Sequence, residues 1–155
     1  MILRTNMGIC ALVVLVFFFG IFVGKQSNLP VVNNPSTLLT HGSVLNLDDL
    51  PYKSTVHNDK QGSPIRKKQF IQPFVIPNLS GFQVATLTDG QTVETHDHES
   101  MHEIFYVLSG LGTFDVDGVA LSVSPGTMVH LAPHEKHSIR TNDSDLTVAY
   151  FGITV

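Results

Sequence analysis

The sequence predicts an all-β domain, an antiparallel sandwich or small barrel, that follows an N-terminal transmembrane helix. Two observations predict the β domain: short apolar runs separated by turn residues from Lys68 onwards, and the lack of a helical period among them. A third observation, an uncharged apolar run near the N-terminus, predicts the helix. At 155 residues, the chain has room for one domain with a hydrophobic core.

Residues 7–24 (MGICALVVLVFFFGIFVG), which follow a short tail of residues 1–6, carry no charge. As a helix they would be about 27 Å long, close to the hydrocarbon thickness of a bilayer. We therefore predict a single-pass transmembrane signal anchor; a cleaved secretory signal and a buried core helix are the alternatives. Arg4 and Lys25 flank the run, and the positive-inside bias favours a cytoplasmic N-terminus. The β domain would then be extracytoplasmic or lumenal, and a cleaved signal would make the protein secreted.

Residues 25–67 are rich in Asn, Ser, Pro, Thr and Asp and have no sustained period of 3.6 or 2. They are predicted to form a stalk or loosely attached arm, and the β domain is predicted over residues 68–155. The run VLNLDDLPY (44–52) is the apolar patch of the stalk and could dock on the domain as an edge element. His41 and His57 fall within the stalk, and no chemical role follows for them.

Eight β-like runs follow, and two of the turns between them end in Asp-Gly. These turns, at 88–90 and 115–118, favour tight hairpins because glycine tolerates positive φ. The predicted strands are 69–76, 81–87, 103–109, 111–116, 119–124, 127–132, 137–141 and 146–155. Eight short strands without a helical segment imply antiparallel sheets.

The formal net charge is −4, and the only cluster of basic residues is Arg66-Lys67-Lys68. A protein that grips phosphates needs a broad basic face, so nucleic-acid binding is not expected. The lone cysteine, Cys10, lies in the apolar run, so the β domain has no disulfide. The expected partners are a small-molecule ligand or substrate and, through residues 7–24, the membrane.

Histidines and acids are concentrated directly before an apolar strand. Because side chains alternate across a strand, His96 and His98 would point to the same face, where paired imidazoles can chelate one metal ion. Glu103 would share a face with Phe105 and Val107. An ionised carboxylate among apolar side chains is costly unless it is paired or bound to a metal. A metal ion held by His96, His98 and Glu103 would explain the cluster.

The spacing of these residues resembles a known family. The pattern Gly90-x5-His96-x-His98-x4-Glu103-x6-Gly110 matches, at every defined position, the first conserved motif of the cupin superfamily, G-x5-H-x-H-x3,4-E-x6-G. The chain is therefore similar to small single-domain cupins.

A second cupin motif, G-x5-P-x-G-x2-H-x3-N, is similar to GTMVHLAPHEKHSIRT (126–141), in which Gly126 and His137 keep the motif's residues. The other three defined positions of the motif differ, being Ala132, His134 and Thr141. Pro133 can still shape the turn before His137. The resemblance covers about residues 68–153.

The resemblance implies a double-stranded β-helix, or jelly roll, with a metal site of three histidines and one carboxylate. The implied ligands are His96, His98, Glu103 and His137. Such a site suits a divalent transition metal (Fe, Mn, Ni, Zn, Cu or Co), and the order of metal affinities does not choose among them. The resemblance also implies one or two open metal positions for water or a substrate.

Other polar side chains have both a functional and a structural interpretation. His130 is a weak catalytic candidate that could line the cavity as an acid or base, and its alternative is a structural histidine. His102 precedes Glu103 and is expected to face away from the metal. His134 is expected to be exposed in a turn, and Tyr106 to pack.

The unbroken run Ile104–Leu108 predicts that both faces of its strand are covered, since it is apolar on each. A second subunit, giving a homodimer, would cover the outer face, and an added strand from residues 44–76 is the alternative. On the inner side, Phe105, Val107 and Met128 are expected to form an apolar wall.

Cupins include dioxygenases, isomerases, lyases, decarboxylases, storage proteins and sensors, so the fold does not determine the function. We expect a membrane-anchored, metal-dependent enzyme of dioxygenase, isomerase or lyase type that acts on a small organic molecule. A non-catalytic cupin that binds a small molecule or a metal is the alternative, and a structural or storage barrel is a third. Substrate turnover would separate the first from the others.

Overall fold

A computed structural model describes residues 44–58 and 62–155, and within them ten strands form two β-sheets. The strands, in chain order, are β1 (Tyr52–Asn58), β2 (Pro64–Ile71), β3 (Leu79–Leu87), β4 (Thr92–His96), β5 (Met101–Ser109), β6 (Gly112–Val116), β7 (Val119–Val123), β8 (Met128–Leu131), β9 (His137–Thr141) and β10 (Leu146–Thr154). A short 3-10 helix, Leu47–Asp49, precedes β1. All of these strands pair antiparallel, and the all-β jelly roll that the resemblance implies is present.

The chain passes back and forth between the two sheets. The six-stranded sheet has the order β1-β2-β3-β10-β5-β8, and the four-stranded sheet has the order β4-β9-β6-β7. From β3 onwards, strands that follow each other along the chain lie in different sheets, with the exception of the paired strands β6 and β7. Because each sheet needs to bury one face, their apolar sides form a shared core.

The core consists of side chains that project inwards at alternate strand positions. Its buried hydrophobic residues are Ile65, Ala85, Leu87, Val93, Phe105, Val107, Phe114, Val123, Val129, Leu131, Ile139, Leu146 and Val148. Phe105 and Phe114 come from different sheets and pack edge to face, with ring centroids 5.1 Å apart. The ring of Phe105 also lies 6.4 Å from that of His137, so the core continues directly into a polar cluster.

The range predicted to be a stalk, residues 25–67, contains β1 and the start of β2. Strand β1 is the edge of the six-stranded sheet and pairs with β2, with Tyr52 opposite Lys68. The guanidinium of Arg66 lies 4.1 Å from the centre of the Tyr52 ring, and Lys68 Nζ donates a hydrogen bond to the carbonyl oxygen of Leu47 at 3.0 Å. Within this range, residues 44–58 are thus attached to the domain as an edge element.

Two further regions differ from the predicted strands. The predicted strand 69–76 ends earlier, because β2 stops at Ile71 and the chain turns at Phe74, where φ is 61°. The run TVETH has no place among the predicted strands and forms β4, in which Val93 is the single buried side chain. Because this strand buries so little apolar side chain, its sequence lacks the apolar alternation from which a strand is predicted. Since β4 ends at His96, His98 lies in the following loop.

Strand β5 has the predicted alternation. Glu103, Phe105 and Val107 are buried, whereas Tyr106 and Leu108 on the outer face are 48% and 43% exposed. In the sheet, β1 is separated from β5 by three strands, so this added strand does not cover the outer face of β5. A homodimer that would cover it stays a prediction.

The predicted fold class also included a transmembrane helix, and this part requires correction. Within the residues that the structure describes, no helix is long and apolar enough to cross a membrane. Residues 7–24, on which the prediction depended, lie outside the described residues. The fold class is therefore the all-β jelly roll, and the single-pass membrane localisation that was inferred from this run is corrected with it.

Candidate metal centre

Three strands and one loop bring four of the predicted site residues together. His96 ends β4 and His137 begins β9, and the two residues are paired across these strands. His98 lies in the loop after β4, where its carbonyl oxygen accepts a hydrogen bond from the backbone N–H of His134 at 2.8 Å. Glu103 comes from β5 in the other sheet. The pairing of β4 with β9 thus brings His96 beside His137, and the loop and the facing sheet add His98 and Glu103.

These four side chains form a compact cluster. Each offers one ligand atom, and the four atoms lie within 4.8 Å of one another. His98 Nε2 is 3.2 Å and His137 Nε2 is 3.4 Å from Glu103 Oε2. Glu103 and His137 are buried, and His96 and His98 are partly exposed. Three imidazoles and a carboxylate at these separations could hold a metal ion.

Backbone carbonyl groups orient two of the imidazole rings. Nδ1 of His96 lies 2.9 Å from the carbonyl oxygen of Glu94, and Nδ1 of His137 lies 3.1 Å from that of Glu135. A carbonyl oxygen only accepts hydrogen bonds, so both Nδ1 atoms carry a proton. In the neutral rings the lone pair is then on Nε2, which is the arrangement typical of metal-binding histidines.

The environment of His137 Nε2 tests whether a metal fits. This nitrogen is buried and, in the described parts of the chain, has no hydrogen-bond partner, although Glu103 Oε2 is 3.4 Å away. A neutral His137 would therefore direct a lone pair towards an ionised carboxylate. That contact is unfavourable in a buried site unless a proton or a metal ion lies between the two atoms. A metal ion would satisfy both atoms, so these residues fit a metal.

The cluster lowers the pKa of its carboxylate and shifts the pKa values of two of its histidines in opposite directions. Burial by itself raises the pKa of Glu103, but His137 and His98 outweigh it and lower the pKa to about 2. The hydrogen bond to Glu103 raises the pKa of His98 above its ordinary value, whereas burial lowers the pKa of His96. At neutral pH the cluster therefore offers an anionic carboxylate beside imidazole ligands.

Comparison with known sequences identifies a domain within the chain. A model of the cupin domain family matches residues 83–154. Residues 83–154 are a cupin domain. Among curated proteins, no sequence matches the chain significantly.

Solved structures share the fold of this cupin domain. A predicted oxalate decarboxylase from Thermotoga maritima is 22% identical with a TM-score of 0.66, and the match covers 72% of this chain and 99% of that one. KdgF from Halomonas sp. is 21% identical with a TM-score of 0.61, covering 74% and 96%. Ectoine synthase from P. lautus is 17% identical with a TM-score of 0.59, covering 72% and 77%. At these identities the likeness shows the fold alone.

The cupin domain places the remaining candidate residues away from the cluster. His130 lies on the exposed outer side of β8, where its Nε2 is 2.9 Å from Nδ1 of His102. Met128, predicted for the apolar wall, is 60% exposed. Val129, which lies between Met128 and His130 on the strand, takes the inward position instead. His134 is exposed in a turn with φ at 69°, where the second cupin motif has a glycine that tolerates this angle.

A cavity of about 50 Å³ lies beside the candidate metal cluster of the cupin domain. His96 and Glu103 contribute to its polar side, and apolar side chains from both sheets line much of the rest. Tyr150 also lines it, and its hydroxyl donates a hydrogen bond to Gln83 Oε1 at 3.0 Å. Burial raises the pKa of the Tyr150 hydroxyl, so this group keeps its proton at neutral pH.

His57 is a cavity residue that the sequence analysis missed. It lies on β1, and its ring centroid is 4.7 Å from that of His96. Thr55, two residues earlier on the same strand, lines the cavity with it, and burial lowers the pKa of His57. The run YKSTVHN contains the aromatic and β-branched residues that favour a strand. However, residues 52–57 include no buried side chain, so no apolar alternation marked the strand.

Metal binding by this cluster is expected to weaken on acidification. A metal must displace the proton of His98, whose raised pKa keeps the ring charged to a higher pH than an ordinary histidine. The affinity should be nearly constant above this pKa and should fall about tenfold per pH unit below it for each proton displaced. Zn²⁺ titrations against a competing chelator, from about pH 8.5 to about pH 5.5, would measure the effect. An affinity that does not change over this range would contradict the prediction.

Proposed function

We propose that this chain is a metal-dependent cupin enzyme that acts on a small organic molecule. The observation that carries the proposal is the buried Nε2 of His137, which lacks a hydrogen-bond partner in the described residues and lies 3.4 Å from the carboxylate of Glu103. The proposed metal ligands are His96, His98, Glu103 and His137. The proposed ion is a divalent transition metal (Fe, Mn, Ni, Zn, Cu or Co), because mixed nitrogen and oxygen ligands suit all of these.

When bound, such an ion would act as a Lewis acid on a carbonyl or carboxylate oxygen of the substrate. Side chains around the cavity supply an apolar wall and a group that can exchange a proton. Phe105 and Tyr150 stack with ring centroids 5.4 Å apart and line the cavity, where they exclude water from the substrate. Since Tyr150 keeps its proton, His57 is the side chain of the cavity, outside the metal cluster, that can accept or donate a proton near neutral pH.

The size of the cavity supports a small substrate. A volume of about 50 Å³ beside the cluster holds only a few non-hydrogen atoms. Proteins of similar structure include, by name, a predicted oxalate decarboxylase and an ectoine synthase, and both names denote enzymes that act on small organic molecules. These names agree with the proposed class of substrate, but the likeness shows the fold alone, and the reaction is left to experiment.

The metal dependence of turnover tests the proposal. The purified chain would be stripped with a chelator, reloaded with each of the six metals in turn, and incubated with a panel of small organic acids and carbonyl compounds. Product would be detected by NMR, and oxygen uptake would be recorded in parallel. We expect turnover that requires a bound metal and that is lost in His98→Ala. Turnover that survives complete removal of the metal would contradict the proposal.

A non-catalytic binding protein is the second candidate. It is favoured by the scarcity of acid–base groups, since His57 and Tyr150 are the titratable side chains that line the described cavity outside the cluster. This candidate predicts that a ligand raises the Tm of the metal-loaded protein without being converted. NMR of the ligand after prolonged incubation separates the two functions.

A further inference from the structure

His57 provides the cavity with a polar group outside the metal cluster. Its ring lies 4.7 Å from the ring of His96, with 38° between the planes. Thr55 holds the backbone around it, because Thr55 Oγ1 accepts a hydrogen bond from the His57 N–H at 3.1 Å and donates one to the His57 carbonyl oxygen at 2.9 Å. In the described part of the chain no hydrogen bond engages the ring nitrogens of His57, so a ring N–H is available to a ligand.

The rest of the cavity restricts what can bind beside His57. Its volume is about 50 Å³, enough for about four water-sized groups. Ile65, Leu87, Phe105 and Val148 are among the apolar side chains that line it, and the described lining contains no lysine or arginine. A sugar, a phosphate or a second carboxylate would leave polar or charged groups without partners against these walls. The part of the ligand inside the cavity is therefore short and apolar.

The charge of the cluster restricts the polar end of the ligand. Three neutral imidazoles and the carboxylate of Glu103 would leave one net positive charge on a divalent ion. Next to an apolar cavity, one further negative charge compensates it, and a second negative charge would remain uncompensated. A monocarboxylate meets this requirement, and its two oxygen atoms could contact the metal and His57.

We propose that the site binds a monocarboxylate with a short apolar chain and that His57 donates a hydrogen bond to the carboxylate of this ligand. The inference rests on the proposed function, because the other contact of the carboxylate is the metal held by the cluster. The apolar chain then occupies the cavity between the two sheets. His57 determines how the ligand is oriented, although it is not one of the four metal ligands.

Butyrate and succinate test the proposal, since both are four-carbon acids and they carry one and two carboxylates. Zinc content would first be measured in the zinc-loaded wild-type chain and in His57→Ala, His57→Asn and His102→Ala. Binding of each acid would then be measured by isothermal titration calorimetry. We expect wild type to bind butyrate at least about tenfold more tightly than succinate. His57→Ala should keep its zinc and lose about tenfold or more in butyrate affinity, as expected for a hydrogen bond to a charged group.

The two other variants separate the hydrogen bond from general effects. His57→Asn keeps an N–H donor and should recover part of the affinity. His102→Ala, which removes a partly exposed histidine of the outer face, should bind butyrate as wild type does. Equal butyrate affinity in wild type and His57→Ala, succinate binding as tight as butyrate, or no binding of either acid would overturn the inference while the zinc content still supports the metal site. Loss of zinc from His57→Ala would also overturn it. A wild-type chain that takes up none of the six metals overturns the proposed function together with this inference.

Discussion

Replacing His96 and His98 together by alanine is expected to reduce the bound metal from about one ion per chain to a trace. The change removes two of four ligand groups, and the two that remain, Glu103 and His137, cannot satisfy a transition-metal ion by themselves. The affinity should fall by more than about 100-fold, because even the loss of a group that only supports a ligand costs about 10- to 100-fold. Elemental mass spectrometry on protein purified without a metal-binding tag would measure the content.

The double variant His102→Ala/His130→Ala is the matched control. It also removes two histidines with ring nitrogens close together, 2.9 Å apart, but these lie on the exposed outer face. The control should keep the full metal content of wild type. Retention of one ion per chain by His96→Ala/His98→Ala, or loss of the ion from the control, would show that the metal ligands are assigned incorrectly.

The second large effect is expected from Gly110→Ala, which should destabilise the domain by more than about 3 kcal/mol. Gly110 has φ at 83°, an angle that costs an L-residue energy. In addition, a Cβ atom at this position would overlap the carbonyl oxygen of Asp145 and would lie 2.9 Å from Cα of Leu146. Both contacts are with backbone, which cannot move aside as a flexible side chain can. Thermal unfolding should show a Tm lower by more than about 10 °C.

Gly90→Ala isolates the contribution of the backbone angle. Gly90 also has φ at 83°, but a Cβ atom there would meet no atom within 4 Å. We therefore expect a loss of only about 1 to 2 kcal/mol, the cost of the left-handed conformation. If the two variants were equally stable, steric contact with the chain at Asp145 could not be the reason for a glycine at position 110.

The sequence pattern was sufficient to predict which side chains of β5 point towards the site. The alternation along β5 predicted that Glu103, Phe105 and Val107 share the buried face, and the structure has this arrangement. This works because side chains on a strand alternate strictly, so a single correct strand assignment orients every residue on it. The motif spacing then named His137 as a partner of Glu103, and these two residues are in contact.

Other parts of the site carried no local signal. The carbonyl oxygens of Glu94 and Glu135, which hold the rings of His96 and His137, are backbone atoms that every residue possesses. The outward position of His130 depends on the register of β8, which a short apolar run leaves open by one residue. In both cases the missing information is geometric and is not a property of residue type.

By itself, the sequence determined the all-β class, the hairpin between β6 and β7 and the residue types of the candidate metal cluster, because alternation, glycine and histidine spacing act over a few neighbouring positions. The hairpin predicted at 88–90 was wrong, because β3 and β4, which this turn connects, lie in different sheets. The tertiary structure alone decided that β1 joins the sheet and brings His57 to the ring of His96, nearly forty residues later in the chain. Such a contact depends on strand pairing and on the packing of two sheets. These interactions act between distant segments, and propensity within either segment does not encode them.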